Sequence, residues 1–170
     1  MDEAEAILRP ERSADAPAIA ALLATAFPGP YEARLVTALR AGRALAVSLV
    51  AEARDELVGH VALSPVTVEA GDGPWLGLGP LAVRPDRQRR GLGKRLTRAA
   101  LDAAAKAGAT AVFVLGDPGY YAMLGFEETA PHGWRCVYPA PPAAFRVRRL
   151  DTSRLPPPGI VRYNPAFDAH

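Results

Sequence analysis

The stretch QRRGLGKR, Gln88 to Arg95, sets Gly91 and Gly93 on either side of one leucine and surrounds them with Arg89, Arg90, Lys94 and Arg95. It follows the apolar run WLGLGPLAV and opens a segment in which Leu92, Leu96, Ala99, Ala100 and Ala103 recur at helical spacing. Strand, loop, then helix is an order that makes an anion site. The first turn of a helix carries backbone N–H groups without internal partners, and the macrodipole adds partial positive charge there. Glycine at 91 and 93 removes the side chains that would keep a phosphate from those N–H groups. Arg89, Arg90 and Lys94 add full charges, so the matching ligand carries a compact, multiply charged group such as a pyrophosphate. The spacing is neither the GxxxxGK[ST] of a P-loop nor the GxGxxG of a dinucleotide fold. A basic helix end that faces only water is the competing reading, and the loop alone leaves both open.

The preceding strand adds a second constraint. Pro80 lies inside WLGLGPLAV and has no N–H to give a ladder, which marks an edge or a bulge; Gly79 beside it eases a bulge. A bulge here splays this strand from the run at 111–117, AVFVLGD, and leaves the backbone of Leu81, Ala82 and Val83 facing a cleft. Buried backbone groups need partners, and an extended ligand with amides can supply them as an added strand does. A molecule with amides along an arm and phosphates at its far end is coenzyme A.

The elements that must position these groups follow from pattern. AEAILRP reads as a first strand. Ser13 is expected to cap a helix over 14–26, and a second helix is expected over 31–41, stopped by Gly42. ALAVSLVAEARDELVGHVALSPVTVEA reads as two strands joined at Arg54-Asp55-Glu56, and WLGLGPLAV as the next. The helix over 92–107 ends at Gly108. The all-apolar run at 111–117 suits a buried strand parallel to its neighbour. A short helix and strands near 126–130 and 143–150 follow. The proline-rich tail from about 151, with LPPPGIVRYNPAF, is expected to wrap the surface in extended form. The order is β-α-α-β-β-β-α-β-α-β-β: an α/β chain with a mixed sheet, splayed central parallel strands, and one domain over 1–170.

Bulk properties narrow the function classes. The 170 residues are 49% hydrophobic and 22% charged, ordinary for a globular protein and unlike a disordered one. A net charge of +2 gives no overall field to recruit nucleic acid or membrane, although seven basic residues fall between Arg84 and Arg98. Cys136 is the only cysteine, so no internal disulfide and no metal-type Cys/His spacing is expected. The acidic start MDEAEAILRP reads as no signal peptide. No segment approaches the roughly 18 apolar residues of a membrane span, so the expected location is the cytoplasm.

PLAVRPDRQRRGLGKRLTRAAL resembles the central motif of the Gcn5-related N-acetyltransferases (GNAT), Gln/Arg-x-x-Gly-x-Gly/Ala, with Gln88, Gly91 and Gly93 at its defining positions. GDPGYYAMLGFEE (116–128) is similar to that family's second landmark, an aromatic helix followed by Gly-Phe. The detailed form, with the late VRYNPAF, is most similar to the YhbS-like group. The resemblance implies a GNAT-like acyl-CoA N-acyltransferase fold, acetyl-CoA as co-substrate and no metal. It implies that the backbone of Leu81, Ala82 and Val83 holds the pantetheine arm. It also implies that the loop from Gln88 through Arg89, Arg90, Gly91, Leu92, Gly93 and Lys94 holds the pyrophosphate.

The short helix carries the remaining chemistry. Asp117 can cap it, Pro118 suits its first position, and Gly125 can end it. Tyr120 and Tyr121 lie roughly 100° apart on such a helix, so one can face a cleft while the other packs. Residue chemistry alone favours a core tyrosine with a satisfied hydroxyl. The resemblance selects Tyr121, four residues before Gly125, as general acid, with Tyr120 in reserve. Glu32, Glu52, His60 and Glu69 are candidate bases of which none stands out, and His132, Trp134 and Cys136 are candidate linings of the acceptor pocket. Cys136 has no activating partner in the sequence, which favours direct transfer over an acyl-enzyme. The 64–74 segment, the first helices and the tail are expected to shape the acceptor pocket, for a small-molecule or protein amine. A noncatalytic acyl-CoA sensor shares the loop without needing the acid. A nucleic-acid binder is disfavoured because the charges spread around a helix without interleaved aromatics. A homodimer is compatible with all of this.

Overall fold

The computed structural model describes residues 5–168. Its strands are β1 (Ile7–Pro10), β2 (Val47–Ala53), β3 (Glu56–Pro65), β4 (Thr67–Val68), β5 (Trp75–Val83), β6 (Ala111–Leu115), β7 (Glu127–Glu128), β8 (Trp134–Cys136), β9 (Phe145–Arg149) and β10 (Gly159–Arg162). Its helices are α1 (Ala16–Ala26), α2 (Tyr31–Ala41), α3 (Leu92–Lys106) and α4 (Pro118–Met123). Seven strands form the main sheet in the order β1-β2-β3-β5-β6-β9-β7, and β4-β10-β8 form a second one. Only β5 and β6 run parallel in the main sheet; its other pairings are antiparallel. Among the described residues no helix is long and apolar enough to cross a membrane.

The two-residue period of β6 explains its unbroken apolar sequence. Val112 and Val114 join a core with Leu92, Leu96 and Ala100 of α3 and Phe126 beyond α4. Ala111 and Phe113 point the other way, into a core with Trp134, Val147, Val161 and Tyr163. A strand covered on both faces has no polar side to show. Over the far end of that second face lie α1 and α2, packing Ile19, Leu23 and Val36 against Val50 and Ala82. The large sheet thus has α3 and α4 on one face. On the other face α1 and α2 sit beside the small sheet, with a furrow between them.

Several expectations change in contact with the fold. Ser13 is not a cap: residues Ser13–Asp15 form a 3-10 turn and α1 starts at Ala16. The Asp15 carboxylate instead accepts from the Arg12 N–H at 2.6 Å and from Arg9 at 2.8 Å, so it braces the chain entering α1. The first strand begins at Ile7, and Ala4 lies outside the described residues. Pro65 ends β3, and the apolar residues after it cross to the small sheet as β4. The tail does not merely wrap the surface: β10 is the middle strand of the small sheet, antiparallel to β4 and parallel to β8.

Gly77 shows how closely that tail is seated. A Cβ at position 77 would lie 2.7 Å from Tyr163 Cε2 and 2.9 Å from Val66 Cγ1. Overpacking of this kind costs about 1–3 kcal/mol. Gly77→Ala is therefore expected to lower unfolding stability by that amount in a urea titration, and an unchanged midpoint would mean that Tyr163 does not sit on β5.

Candidate functional site

The β5–β6 ladder runs from Trp75 opposite Ala111 to Leu78 opposite Val114 and stops there. β5 continues along β3, but with a jump in register: Leu78 pairs with Leu63 and Leu81 with Val61. Gly79 and Pro80 therefore stand opposite Ala62 alone, which is a bulge. Gly79 has φ 155°, and the Gly79–Pro80 peptide is cis. On its other side β6 ends, and the Gly116 N–H turns away to the Ala144 carbonyl at 3.0 Å. The two parallel strands thus part at the predicted proline.

The register divides the three residues expected to face the gap. The Arg84 N–H donates to the Val58 carbonyl at 2.9 Å, so alternation along an antiparallel pair turns Ala82 toward β3 and Leu81 and Val83 toward the gap. The expectation for Ala82 is corrected accordingly: its backbone belongs to the ladder, opposite His60, and its side chain is buried against α1 and α2. The Val83 carbonyl already accepts from Gln88 Nε2 at 3.0 Å. Gln88 therefore braces the loop onto the strand with its side chain.

Beyond Val83 the loop is held from several directions. Arg84 pairs with Asp86 at 2.7 Å and with Glu56 at 2.8 Å. Arg89 takes φ 64°, and Gly91, the residue before α3, takes φ 89°. No side chain caps this helix. The Arg95 N–H is the first to bond back, to the Gly91 carbonyl at 3.1 Å, so the N–H groups of Leu92, Gly93 and Lys94 form the open first turn. A Cβ at Gly91 would meet nothing within 4 Å, whereas one at Gly93 would lie 2.7 Å from the Tyr120 hydroxyl. A cleft of about 480 Å³ lies over this turn, bordered by Leu81, Val83, Gln88, Arg89, Lys94 and Tyr120, among others. The Leu92 side chain is buried in the core, which leaves only its backbone for a ligand. Arg90 does not border the cleft.

At the other side of Leu81 lies a second cavity of about 400 Å³, with Leu78, Gly79, Pro80 and Leu81 among its lining. Tyr121 lines it, and Tyr120 does not. Asp117 accepts from the Tyr120 N–H at 3.1 Å and so starts α4 at Pro118. Gly125 leaves the helix at φ 84°, and Phe126 enters the core. The Tyr121 ring stands edge-on to Tyr120 and Phe126, with centroids 4.9 and 5.4 Å away. Burial, with smaller contributions from Tyr120 and Asp117, holds its phenol well above the ordinary pKa. The adjacent tyrosines thus serve opposite sides of Leu81.

The remaining walls come from the end of α1, from α2, from the segment after β8 and from the tail: Phe27, Tyr31, Glu32, Leu35, Tyr138, Tyr163 and Phe167. The Tyr31 hydroxyl donates to the Phe167 carbonyl at 2.7 Å, and the Tyr138 hydroxyl to Asp168 Oδ1 at 2.5 Å. These two bonds pin the end of the tail across the furrow. The first helices and the tail were expected to shape this wall, and Glu32 was named, but the wall's other side chains were not. One signal was available: Val161 and Tyr163 alternate with Arg162, a strand pattern inside a proline-rich stretch.

Of the candidate bases, only Glu32 reaches the cavity. Glu52 pairs with Arg9 at 3.0 Å, and Glu69 Oε1 accepts from the Ile160 N–H at 2.9 Å. His60 is fully buried, its Nε2 2.9 Å from Ser48 Oγ, which donates to Glu11. Burial pushes its pKa down to about 4, so it is a neutral member of a polar strut between strands. The three candidate lining residues are also placed elsewhere. Trp134 packs edge-on to Phe113, His132 stacks on Trp134, and Cys136 belongs to the same cluster. Burial pushes the Cys136 thiol pKa up, against a nucleophilic role. The 64–74 segment does not line the cavity either.

Comparison with known proteins fits this geometry. The acetyltransferase (GNAT) family matches residues 16–126. The uncharacterised N-acetyltransferase YhbS of Escherichia coli strain K12 is 40% identical over 164 residues, 95% of this chain and 98% of that protein. The crystal structure of the E. coli YhbS GNAT family N-acetyltransferase in complex with CoA superposes with a TM-score of 0.92 at 39% identity, over 96% of this chain and 92% of that one. A GNAT family acetyltransferase from Brucella melitensis in complex with acetyl-CoA gives a TM-score of 0.82 at 36% identity, over 96% and 98% of the two chains.

Proposed function

The chain belongs to the acetyltransferase (GNAT) family, and from that premise we propose that it binds acetyl-CoA along the β5–β6 gap and directs the acetyl group straight to a primary amine held beside Tyr121. The observation that carries this reading is the open edge of β5 at Leu81 and Val83, which leads to the uncapped first turn of α3. The residues fit the coenzyme on their own chemistry. An amide-bearing arm meets strand-like backbone groups, and a diphosphate meets helix N–H groups, Lys94 and the open space at Gly91. The complexes of the E. coli and Brucella relatives with CoA and acetyl-CoA point the same way.

When bound, acetyl-CoA supplies the thioester that an amine attacks. The Leu81 N–H, turned into the gap, faces the negative charge that develops on the acyl oxygen; a donor of this kind is worth about 2.7–4 kcal/mol. Tyr121 donates toward the departing sulfur. An ordinary phenol and thiol differ by about 1.5 pKa units, or about 2 kcal/mol against proton transfer, and burial of Tyr121 widens that difference. A sulfur anion in the same apolar cavity is desolvated too, which raises its own proton affinity and narrows it again. Tyr121 therefore acts through a strong hydrogen bond that becomes a proton transfer as the C–S bond opens.

Calorimetric titration of CoA into the folded protein tests the reading. Saturable heat at one site per chain is expected, and its absence in a protein of normal stability overturns the assignment.

A further inference from the structure

Resting on the acetyltransferase reading, we propose that the acceptor is a small monoamine with a compact apolar or aromatic body, its ammonium held by Glu32. The cavity beside Tyr121 has a nearly uniform lining. Phe27, Leu35, Leu78, Val114 and Phe167 contribute hydrocarbon or ring surface. Of its tyrosine hydroxyls, those of Tyr31 and Tyr138 have given their protons to Phe167 and Asp168, and that of Tyr163, though without a partner among the described residues, is buried away from the open space. Tyr121 is assigned to the departing sulfur. Little hydrogen-bonding capacity remains for a sugar or polyol, whose hydroxyls would lose water without replacement.

Glu32 is the only carboxylate lining this cavity among the described residues. It sits half-buried in the first turn of α2, and among the described residues no ion pair holds it, unlike Glu11, Asp15, Glu52 and Glu56. A carboxylate at the edge of apolar surface is a place for one cation. A polyamine would need further carboxylates along its length, and Asp168, which does not line the cavity, already accepts from Tyr138. The volume of about 400 Å³ suits a small ligand. One charge and one apolar body therefore describe the occupant. In the transfer, the amine nitrogen bonds to the acetyl carbon as the C–S bond breaks. Of the two protons the ammonium nitrogen loses, solvent takes one. The other balances the proton that Tyr121 gives to the thiol.

The test is thiol release from acetyl-CoA with 2-phenylethylamine, cyclohexylmethylamine, spermidine, an aminoglycoside and a lysine-containing peptide, in the wild type and Glu32→Gln. The two monoamines are expected to show kcat/KM at least about tenfold above the other three. Glu32→Gln should raise KM for 2-phenylethylamine about tenfold or more, the scale of one lost charged contact, while CoA affinity stays unchanged. A preference for the polyamine, aminoglycoside or peptide, or an unchanged KM in Glu32→Gln, overturns the inference and leaves the acetyltransferase reading standing. If no amine is turned over, titration of 2-phenylethylamine into the CoA complex decides. Binding that Glu32→Gln abolishes supports the inference, and no binding overturns it. Failure of CoA itself to bind would remove the acetyltransferase reading instead, and this inference with it.

Discussion

Tyr121→Phe is expected to lower kcat by about 10²–10³ while CoA affinity and stability stay near wild type. A positioned general acid contributes roughly 10²–10⁴. The hydroxyl can be removed cleanly because the ring, not the oxygen, does the packing against Tyr120 and Phe126. The pH profile separates this role from a structural one. Because burial raises the phenol pKa, Tyr121 stays protonated well past neutrality. The wild-type rate should therefore climb with pH as more of the acceptor, with an amine pKa of roughly 10.4, becomes neutral, with no fall below about pH 9. Stopped assays of kcat and kcat/KM across pH 6–9 check both points. A Phe variant with normal turnover would remove Tyr121 from the chemistry, and Tyr120→Phe would show whether its neighbour substitutes.

Gly91→Glu is expected to weaken CoA binding by at least about 100-fold, to the point where calorimetry shows no saturation. Two causes combine. At φ 89° any side chain strains the backbone, by about 1–3 kcal/mol. A carboxylate there also occupies the open space beside the unpaired N–H groups of α3, where it takes the place of the ligand's phosphates and repels them. Gly91→Ala separates the two, since it carries the strain without the charge and should bind with intermediate affinity. Circular dichroism of both variants establishes that they fold. If the Glu variant binds CoA normally, the phosphates do not lie at this turn.

Much of the donor side was legible because its signals are local. Pro80 and Gly79 announced the bulge, the Leu and Ala spacing announced α3, and Asp117, Pro118 and Gly125 delimited α4, all observed where expected. Register was not legible. That Ala82 faces β3 while Leu81 and Val83 face the gap follows from pairing with residues twenty or more positions away. The acceptor side was harder still. β4, β8 and β10 are two to four residues long, too short for periodicity, and form only through each other. Trp134 and Cys136 follow the Gly-Phe landmark in sequence but belong to that small sheet, and His132, in the 3-10 turn before it, stacks on Trp134. The wall opposite Tyr121 is instead completed by Tyr163 and Phe167, brought back by the chain's last turn.

That return has a consequence for how such a protein can change. The open strand, the glycine turn and Tyr121 all fall between residues 75 and 121, whereas part of the facing surface arrives from the tail, fastened to α2 by the Tyr31–Phe167 bond. Recombination or drift confined to the final stretch would reshape what enters the furrow without disturbing the donor side. On the function proposed above, selectivity and catalytic power would be inherited in part on separate segments of one gene.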